Sequence, residues 1–292
     1  MDKSQPLFLP SLTGSFSKPA GDNPTVAMME AAYRHHGLHY RYINMEVDAD
    51  GLADAVRGAK AQGYVGFNCS LPHKAEVIRL LDGLGESARL IGAVNCAVKQ
   101  GDGRWVGENT DGVGFLESLK ELIDPAGLEI VILGAGGAAR AIAVELALAG
   151  ASKLYVVNRS VSRGQELAAH VAANTCAETV FFPWAGRFEV PASVTVVVNA
   201  TSIGLAPDGD VLPEVNLETL RANMIIADVI PNPPQTAWLK EAAKRGCKTL
   251  DGLGMLTHQG AKNFHYWTGV VADKKVMRHV LAEIFGASQT VP

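Results

Sequence analysis

A lysine stands at the end of a polar segment in the first third of the chain. Gly66-Phe67-Asn68-Cys69-Ser70-Leu71-Pro72-His73-Lys74 carries an apolar run into polar residues, and the pattern predicts a strand over 63–68 and a helix over 74–82 with Lys74 in its first turn. A cation there opposes the positive end of the helix dipole, and that mismatch points to a role. Two further clusters at strand ends follow, Gly92-Ala93-Val94-Asn95 and Gly107-Glu108-Asn109-Thr110-Asp111. An amine, an amide and a carboxylate brought together can move a proton to or from a hydroxyl or carbonyl oxygen. Each residue also has a plainer role. Lys74 can be a solvated lysine, Asp111 an N-cap, Asn95 and Gln259 partners for buried backbone, and Ser70 and Thr201 the ends of strands.

A second constellation lies in the middle of the chain. Glu129-Ile-Val-Ile-Leu133 runs into Gly134-Ala135-Gly136-Gly137-Ala138 and an Ala-rich helix to Leu148, stopped by Gly150. A β-branched run, a turn bare of side chains and a helix N-terminus form a phosphate-binding unit. The next apolar run, Leu154 to Val157, ends in Asn158-Arg159-Ser160, with Arg163 one turn on. An acidic residue at that edge would accept from the 2′-hydroxyl of NAD, whereas guanidinium groups suit a 2′-phosphate. The implied ligand is NADP. Further cofactor candidates are Thr201 in Asn199-Ala-Thr-Ser202 and Val229 in Asp228-Val-Ile-Pro231, both at strand ends.

The elements that must position these groups are α/β throughout. Strands are predicted over 129–133, 153–157, 178–182, 194–199, 224–229 and 247–250, alternating with helices in a doubly wound parallel sheet that binds ligand at its strand C-termini. The first block has strands over 7–12, 38–47, 63–68 and 91–98 and helices near 25–36 and 50–62, with no phosphate loop. A helix over 114–123 leads into the nucleotide unit, and helices over 255–267 and 273–285 can pack back on the first block. At 292 residues two domains are the natural division: 1–113, completed by 258–292, for substrate, and 114–257 for NADP.

Composition narrows the class. With 48% hydrophobic residues and a net charge of −4, the chain has neither a basic footprint for nucleic acid nor an apolar stretch long enough for a membrane. Cys69, Cys96, Cys176 and Cys247 show no Cys-x-x-Cys spacing and read as buried thiols of a reducing compartment, so no metal site is expected and a cytoplasmic location is. The histidines at 35, 36 and 39 lie at a helix end and add no metal site.

Taken in order, these motifs resemble the shikimate dehydrogenase family, with its quinate/shikimate paralogues, from about Leu38 to the C-terminal helix. Asn68-x-Ser-x-Pro-x-Lys74 is similar to the family's Asn-Val-Thr-x-Pro-x-Lys loop. The resemblance makes Lys74 and Asp111, in Asn-Thr-Asp-Gly, the catalytic pair, and Ser70, Asn95 and Gln259 substrate ligands. It assigns Gly134–Ala138, Asn158, Arg159 and Arg163 to NADP and places Gly252, in Asp251-Gly-Leu-Gly-Met255, near the nicotinamide. It implies reversible hydride transfer between NADP(H) and shikimate, or a close ring acid, in the aromatic amino acid branch of metabolism, by a monomer or homodimer. A quinate or aminoshikimate paralogue and a catalytically silent NADP-binding regulator are the alternatives. A folate-type methylene dehydrogenase would share the lysine but not the Asp251–Met255 motif with Gln259.

The chain departs from the family at one end of the substrate. The family's His-Ser-x-Ser-Pro segment, which holds a carboxylate with two hydroxyls, is replaced by Gly14-Ser15-Phe16-Ser17-Lys18-Pro19-Ala20-Gly21-Asp22-Asn23-Pro24-Thr25. If the following helix sets the register, Asn23 and Thr25 stand for the serines; if likeness of residues sets it, Ser15 and Ser17 do. The first is favoured, because ligands must keep a fixed distance from a packed element. The family's tyrosine after the fifth strand of the nucleotide sheet is Pro231.

Overall fold

The computed structural model describes residues 8–286 and divides into two units, Met1–Asn109 with Gly260–Val280, and Thr110–Gln259 with Leu281–Pro292. The first unit holds β1 (Ser11–Ser17), α1 (Thr25–His35), β2 (Tyr40–Glu46), α2 (Leu52–Ala61), β3 (Gly66–Cys69), β4 (Gly83–Leu84), α3 (Glu86–Ile91), β5 (Cys96–Lys99) and β6 (Trp105–Glu108). They form a mixed sheet in the order β2-β1-β3-β5-β6-β4, antiparallel at β3/β5 and β5/β6. Its core is aromatic: the Phe67 ring lies 4.8 Å from Phe16 and 5.3 Å from Trp105, all three buried.

Several boundaries differ from those the sequence pattern predicts. The strand expected over 7–12 is β1 at Ser11–Ser17, and residue 7 lies outside the described residues. Ser-Leu-Thr-Gly-Ser-Phe-Ser has a single β-branched residue, Thr13, and Thr13, Ser15 and Ser17 are buried. That buried polar face needs distant partners: Thr13 pairs with the Tyr33 hydroxyl at 2.9 Å and donates to the Arg41 carbonyl. The strand expected over 91–98 begins only at Cys96, because α3 occupies Glu86–Ile91 and Gly92 (φ 73°) ends it in a left-handed cap. Short β4 and β6 carry too little pattern to be predicted. The helix expected over 74–82 is a turn followed by a 3₁₀ segment, Glu76–Leu80, so the argument from a lysine opposing a helix dipole does not apply to Lys74.

In the second unit α4 (Thr110–Lys120) precedes β7 (Glu129–Leu133), α5 (Gly137–Leu148), β8 (Lys153–Asn158), α6 (Val161–Asn174), β9 (Glu178–Pro183), β10 (Val196–Asn199), β11 (Ile225–Asp228), α7 (Ala237–Lys244) and β12 (Lys248–Leu250). Every pairing in this sheet is parallel, in the order β12-β11-β10-β7-β8-β9. Strand order reverses between β7 and β10, the doubly wound arrangement the sequence implies. The β-branched runs are continuous because both faces are covered, with Ile130 to Leu133 and Val196 to Val198 fully buried.

Two helices end the chain, α8 (Gly252–Thr268) and α9 (Lys274–Phe285). Residues 260–280 return to the first unit. Trp267 Nε1 donates to the Ala97 carbonyl at 3.1 Å, Phe264 stacks on Tyr33 at 5.4 Å, and the Asp273 N–H donates to His36 Nε2 at 3.1 Å. Cys69, Cys96 and Cys247 are buried, but Cys176, expected to be buried, is exposed in the turn after α6. Among the described residues there is no group of metal-ligating side chains and no helix long and apolar enough to cross a membrane.

Candidate active site

In the first unit the candidate residues gather at the ends of β1, β3, β5 and β6. Backbone bonds tie their loops: the Ser70 N–H donates to Phe16, Lys18 to Leu71, Val94 to Lys74 at 2.7 Å, and Asn95 to Glu108 at 3.1 Å. Asn68 is fixed from both sides, accepting from the Tyr42 hydroxyl at 2.8 Å and donating to the Asn95 carbonyl at 2.8 Å. The buried His73 ring donates to the Val47 carbonyl at 2.8 Å and pins the turn that carries Lys74. Burial pushes the Cys69 thiol up to about 12, while the Lys74 ammonium pulls it down. A preorganised loop of this kind holds an amine in one place, as proton transfer requires.

The segment of the altered serines is a closed amide network. Asn23 and Thr25 flank Pro24 at the start of α1, and Ser15 and Ser17 lie on β1. The Asn23 side chain accepts from the Thr25 N–H at 3.0 Å and donates to Ser15 Oγ at 3.2 Å, while Ser15 donates to Asn44 at 3.0 Å. Asn44 in turn donates to the Asn23 carbonyl at 2.9 Å. The Ser17 hydroxyl is buried with no hydrogen-bond partner. Asn44 is a participant that sequence reasoning missed, since nothing in the local pattern of β2 announces a partner 21 residues away. The charges nearby are acidic on balance. Lys18 is paired with Asp48, the Glu46 carboxylate accepts from the Ala20 N–H at 3.2 Å, and Asp22 is exposed.

Asp111 lies within the first turn of α4 and not before it as an N-cap, because the helix expected to begin at residue 114 begins at Thr110. A carboxylate there is favoured by the helix dipole. Gln259 is buried on α8, whose backbone crosses α4 at Gly114: a Cβ added to Gly114 would lie 2.6 Å from the Met255 carbonyl and 2.8 Å from Gln259 Cβ.

The remaining candidates of the second unit line the C-terminal edge of its sheet. Gly134 has φ +112°, and a Cβ on it would lie 2.9 Å from the Ala200 carbonyl, so only glycine fits. Gly136 and Gly137 are exposed at the start of α5, and a Cβ on either would enter open space. Their bare N–H groups fit a phosphate. Asn158 donates to the Ser160 carbonyl at 2.8 Å, and Ser160 caps α6. That turn presents Arg159 and Arg163, both exposed, with no carboxylate partner among the described residues. On β10 and β11, Asn199 accepts from Thr201 Oγ1 at 2.6 Å and donates to Asp228 at 3.2 Å. Gly252 packs so closely on Val229 and Ile230 that a Cβ would lie 2.3 Å from the Ile230 carbonyl. Pro231, half-buried, follows this turn. The residues present therefore fit a dinucleotide with a phosphate at the Arg159 edge.

Asp228 is 1% exposed, and burial raises its carboxyl to about 6 against the hydrogen bonds it accepts. Between about pH 4 and that value the folded protein holds a proton the unfolded chain has released, so the stability Asp228 adds below about pH 4 is lost as pH rises through about 6. Asp228→Asn cannot titrate. Its unfolding free energy, compared with wild type in urea, should gain up to about 3 kcal/mol between about pH 4 and about pH 7, at 1.36 kcal/mol per pKa unit. A constant difference would mean that the carboxyl titrates normally.

Comparison with known proteins gives the chain its family. Residues 16–97 match the domain described as "Shikimate dehydrogenase substrate binding domain", 118–202 match "Shikimate / quinate 5-dehydrogenase", and 252–282 match "Shikimate 5'-dehydrogenase C-terminal domain". The shikimate dehydrogenase (NADP(+)) of Desulforamulus reducens is 39% identical over 92% of this chain and 93% of its own length. That of Methanocaldococcus jannaschii is 41% identical over 92% and 95%. The chain belongs to the shikimate dehydrogenase family. It is an NADP-dependent oxidoreductase of the shikimate dehydrogenase type, acting on a secondary alcohol. One solved structure, the ligand-free 5-ketofructose reductase of Gluconobacter sp. strain CHM43, is 55% identical, with a TM-score of 0.93 over 95% of this chain and 100% of that one.

The basic edge yields a direct test of cofactor choice. Arg159→Ala should raise the KM for NADP by about tenfold or more, the worth of one or two charge-assisted bonds, and change the KM for NAD far less. Equal KM values for the two cofactors in wild type would remove the reason for assigning Arg159 to a 2′-phosphate.

Proposed function

We propose that this protein reduces the ketone of a small, neutral, polyhydroxylated substrate with NADPH, and reoxidises the alcohol with NADP. A dicarbonyl sugar of the 5-ketofructose kind is the substrate that fits best. The observation that carries this choice is the closed Ser15–Asn23–Asn44 network, in which the two positions that the favoured register sets in place of the family's serines offer an amide already bonded on both ends and a threonine. Acidic Glu46 and Asp22 beside it disfavour an anion further. The 55% identity to a 5-ketofructose reductase supports the same substrate class.

The cofactor supplies the hydride; the chain handles the proton and the orientation. Lys74 gives its proton to the ketone oxygen as negative charge develops there, and takes one in the reverse direction. Asn95 and Ser70 hydrogen-bond hydroxyls of the substrate, and Asp111 accepts from a neighbouring one. None of these roles needs a carboxylate on the substrate.

The second reading is interconversion of shikimate and its 3-dehydro ketone. The curated relatives at 39% and 41% identity favour it, as does the retention of Lys74, Asn95, Asp111 and Gln259 in their motifs. The experiment is to follow NADPH consumption by purified protein with 5-ketofructose and with 3-dehydroshikimate. Turnover of the first in preference to the second supports the proposal, and the opposite order supports the second reading.

A further inference from the structure

We infer that Asp228 is a positioning residue for the cofactor: through Asn199 and through the backbone of Val229 and Ile230 it fixes the loops that carry Thr201 and face Gly252. The inference rests on NADP being the ligand of the second unit and is independent of the substrate.

Asn199 and Asp228 end adjacent parallel strands and are register partners, 0% and 1% exposed. The Asn199 side chain is fully engaged. Its oxygen accepts from the Thr201 N–H at 3.2 Å and from Thr201 Oγ1 at 2.6 Å, while its nitrogen donates to the Ile203 carbonyl at 3.0 Å and to Asp228 Oδ1 at 3.2 Å. Asp228 thus decides which way that amide faces. If the carboxylate were absent, one N–H of a fully buried amide would lose its acceptor, and the side chain would gain a reason to turn away from Thr201.

The same carboxylate shapes the neighbouring loop. Oδ1 also accepts from the Ile230 N–H at 3.1 Å, and Oδ2 accepts from the buried Thr236 hydroxyl at 2.8 Å. Thr236 is the N-cap of α7 and accepts from the Leu239 N–H. The Val229 N–H donates to the Asn199 carbonyl at 3.1 Å, binding the two loops together. Both loops pack backbone to backbone on the cofactor glycines, since a Cβ on Gly134 would strike Ala200 and one on Gly252 would strike Ile230. A displacement of either loop therefore moves a wall of the nucleotide site. Asp228 itself is buried beneath these walls.

The test measures binding apart from turnover, by calorimetric titration of NADP+ into substrate-free protein. Asp228→Ala should raise the Kd about tenfold or more, the scale of one buried polar group left unpaired, with kcat at saturating cofactor within about threefold of wild type. Asp228→Asn should restore the Kd to within about threefold, because its oxygen can keep both N–H bonds while the Thr236 hydroxyl turns to accept from its nitrogen. Thr236→Val, a milder change that leaves the carboxylate in place, should raise the Kd about three- to tenfold. An Asn variant that binds as poorly as the Ala variant would overturn the inference, as would a loss confined to kcat. Should Asp228→Ala fail to fold, Thr236→Val decides, and an unchanged Kd there overturns it. A wild-type protein that does not bind NADP+ would overturn the cofactor assignment and this inference with it, whereas reassignment of the substrate leaves the titration unaffected.

Discussion

Lys74→Met should lose turnover by about 10²- to 10⁴-fold, the usual worth of a positioned general acid or base, while the Kd for NADP+ stays within about twofold of wild type. Methionine keeps the length of the lysine stem, and the bond that holds the turn is made by the Lys74 backbone carbonyl with the Val94 N–H. The substitution therefore removes the proton and leaves the loop. Lys74 also belongs to the unit that does not contain the phosphate loop, which is why cofactor binding should survive. The measurement is kcat at saturating NADPH across the pH optimum, beside a calorimetric titration of NADP+. A variant retaining more than about a third of wild-type kcat would show that the proton comes from elsewhere.

The second large effect concerns the substrate. kcat/KM for 5-ketofructose should exceed that for 3-dehydroshikimate by about a hundredfold or more. Two hydrogen bonds to a carboxylate, at about 1.5 to 3 kcal/mol each when the acceptor is charged, set that scale. In this chain Asn23 spends its amide on Ser15 and on the start of α1, so a carboxylate would have to break bonds already made. The double variant Asn23→Ser/Thr25→Ser should shift the ratio toward 3-dehydroshikimate by about tenfold, because a serine hydroxyl at position 23 can accept from the N–H of residue 25, as Asn23 does, and still donate a hydrogen bond. If wild type used 3-dehydroshikimate as well as the sugar, the neutral-substrate reading would fall and the shikimate reading would stand. If instead Asn23→Ala changed neither substrate's kcat/KM, the register would be wrong, and Ser15 and Ser17 would be the residues to vary.

The sequence alone placed the six strands of the nucleotide-binding sheet to within two residues of their observed ends. Its four central strands, β7, β8, β10 and β11, are buried on both faces, so β-branched runs such as Glu129–Leu133 and Lys153–Asn158 are unbroken and stand out from the helices between them. Gly134 is legible because the chain's own close packing there needs a residue without a Cβ, and Gly136 and Gly137 because bare N–H groups at a helix start suit a phosphate. Arg159 and Arg163 are legible because a single turn separates them, and among the described residues neither has a carboxylate partner.

Tertiary structure decided what depends on partners far apart in sequence. β1 buries Thr13 and Ser15, and their hydroxyls are satisfied only because Tyr33, Arg41 and Asn44 arrive from α1 and β2 to bond them. A short-range pattern cannot display such pairing, so it sets the strand too early and does not point to Asn44. Asn199 and Asp228 were visible as strand ends, but their mutual bond and its hold on Thr201 exist only because β10 and β11 lie side by side. The loop of Lys74 shows the same division: its residues were readable as a motif, yet the turn that replaces the predicted helix is held by His73 on Val47 and by Val94 on Lys74. Local sequence fixes which groups are present, and long-range hydrogen bonds in a buried, low-dielectric setting fix where those groups are aimed.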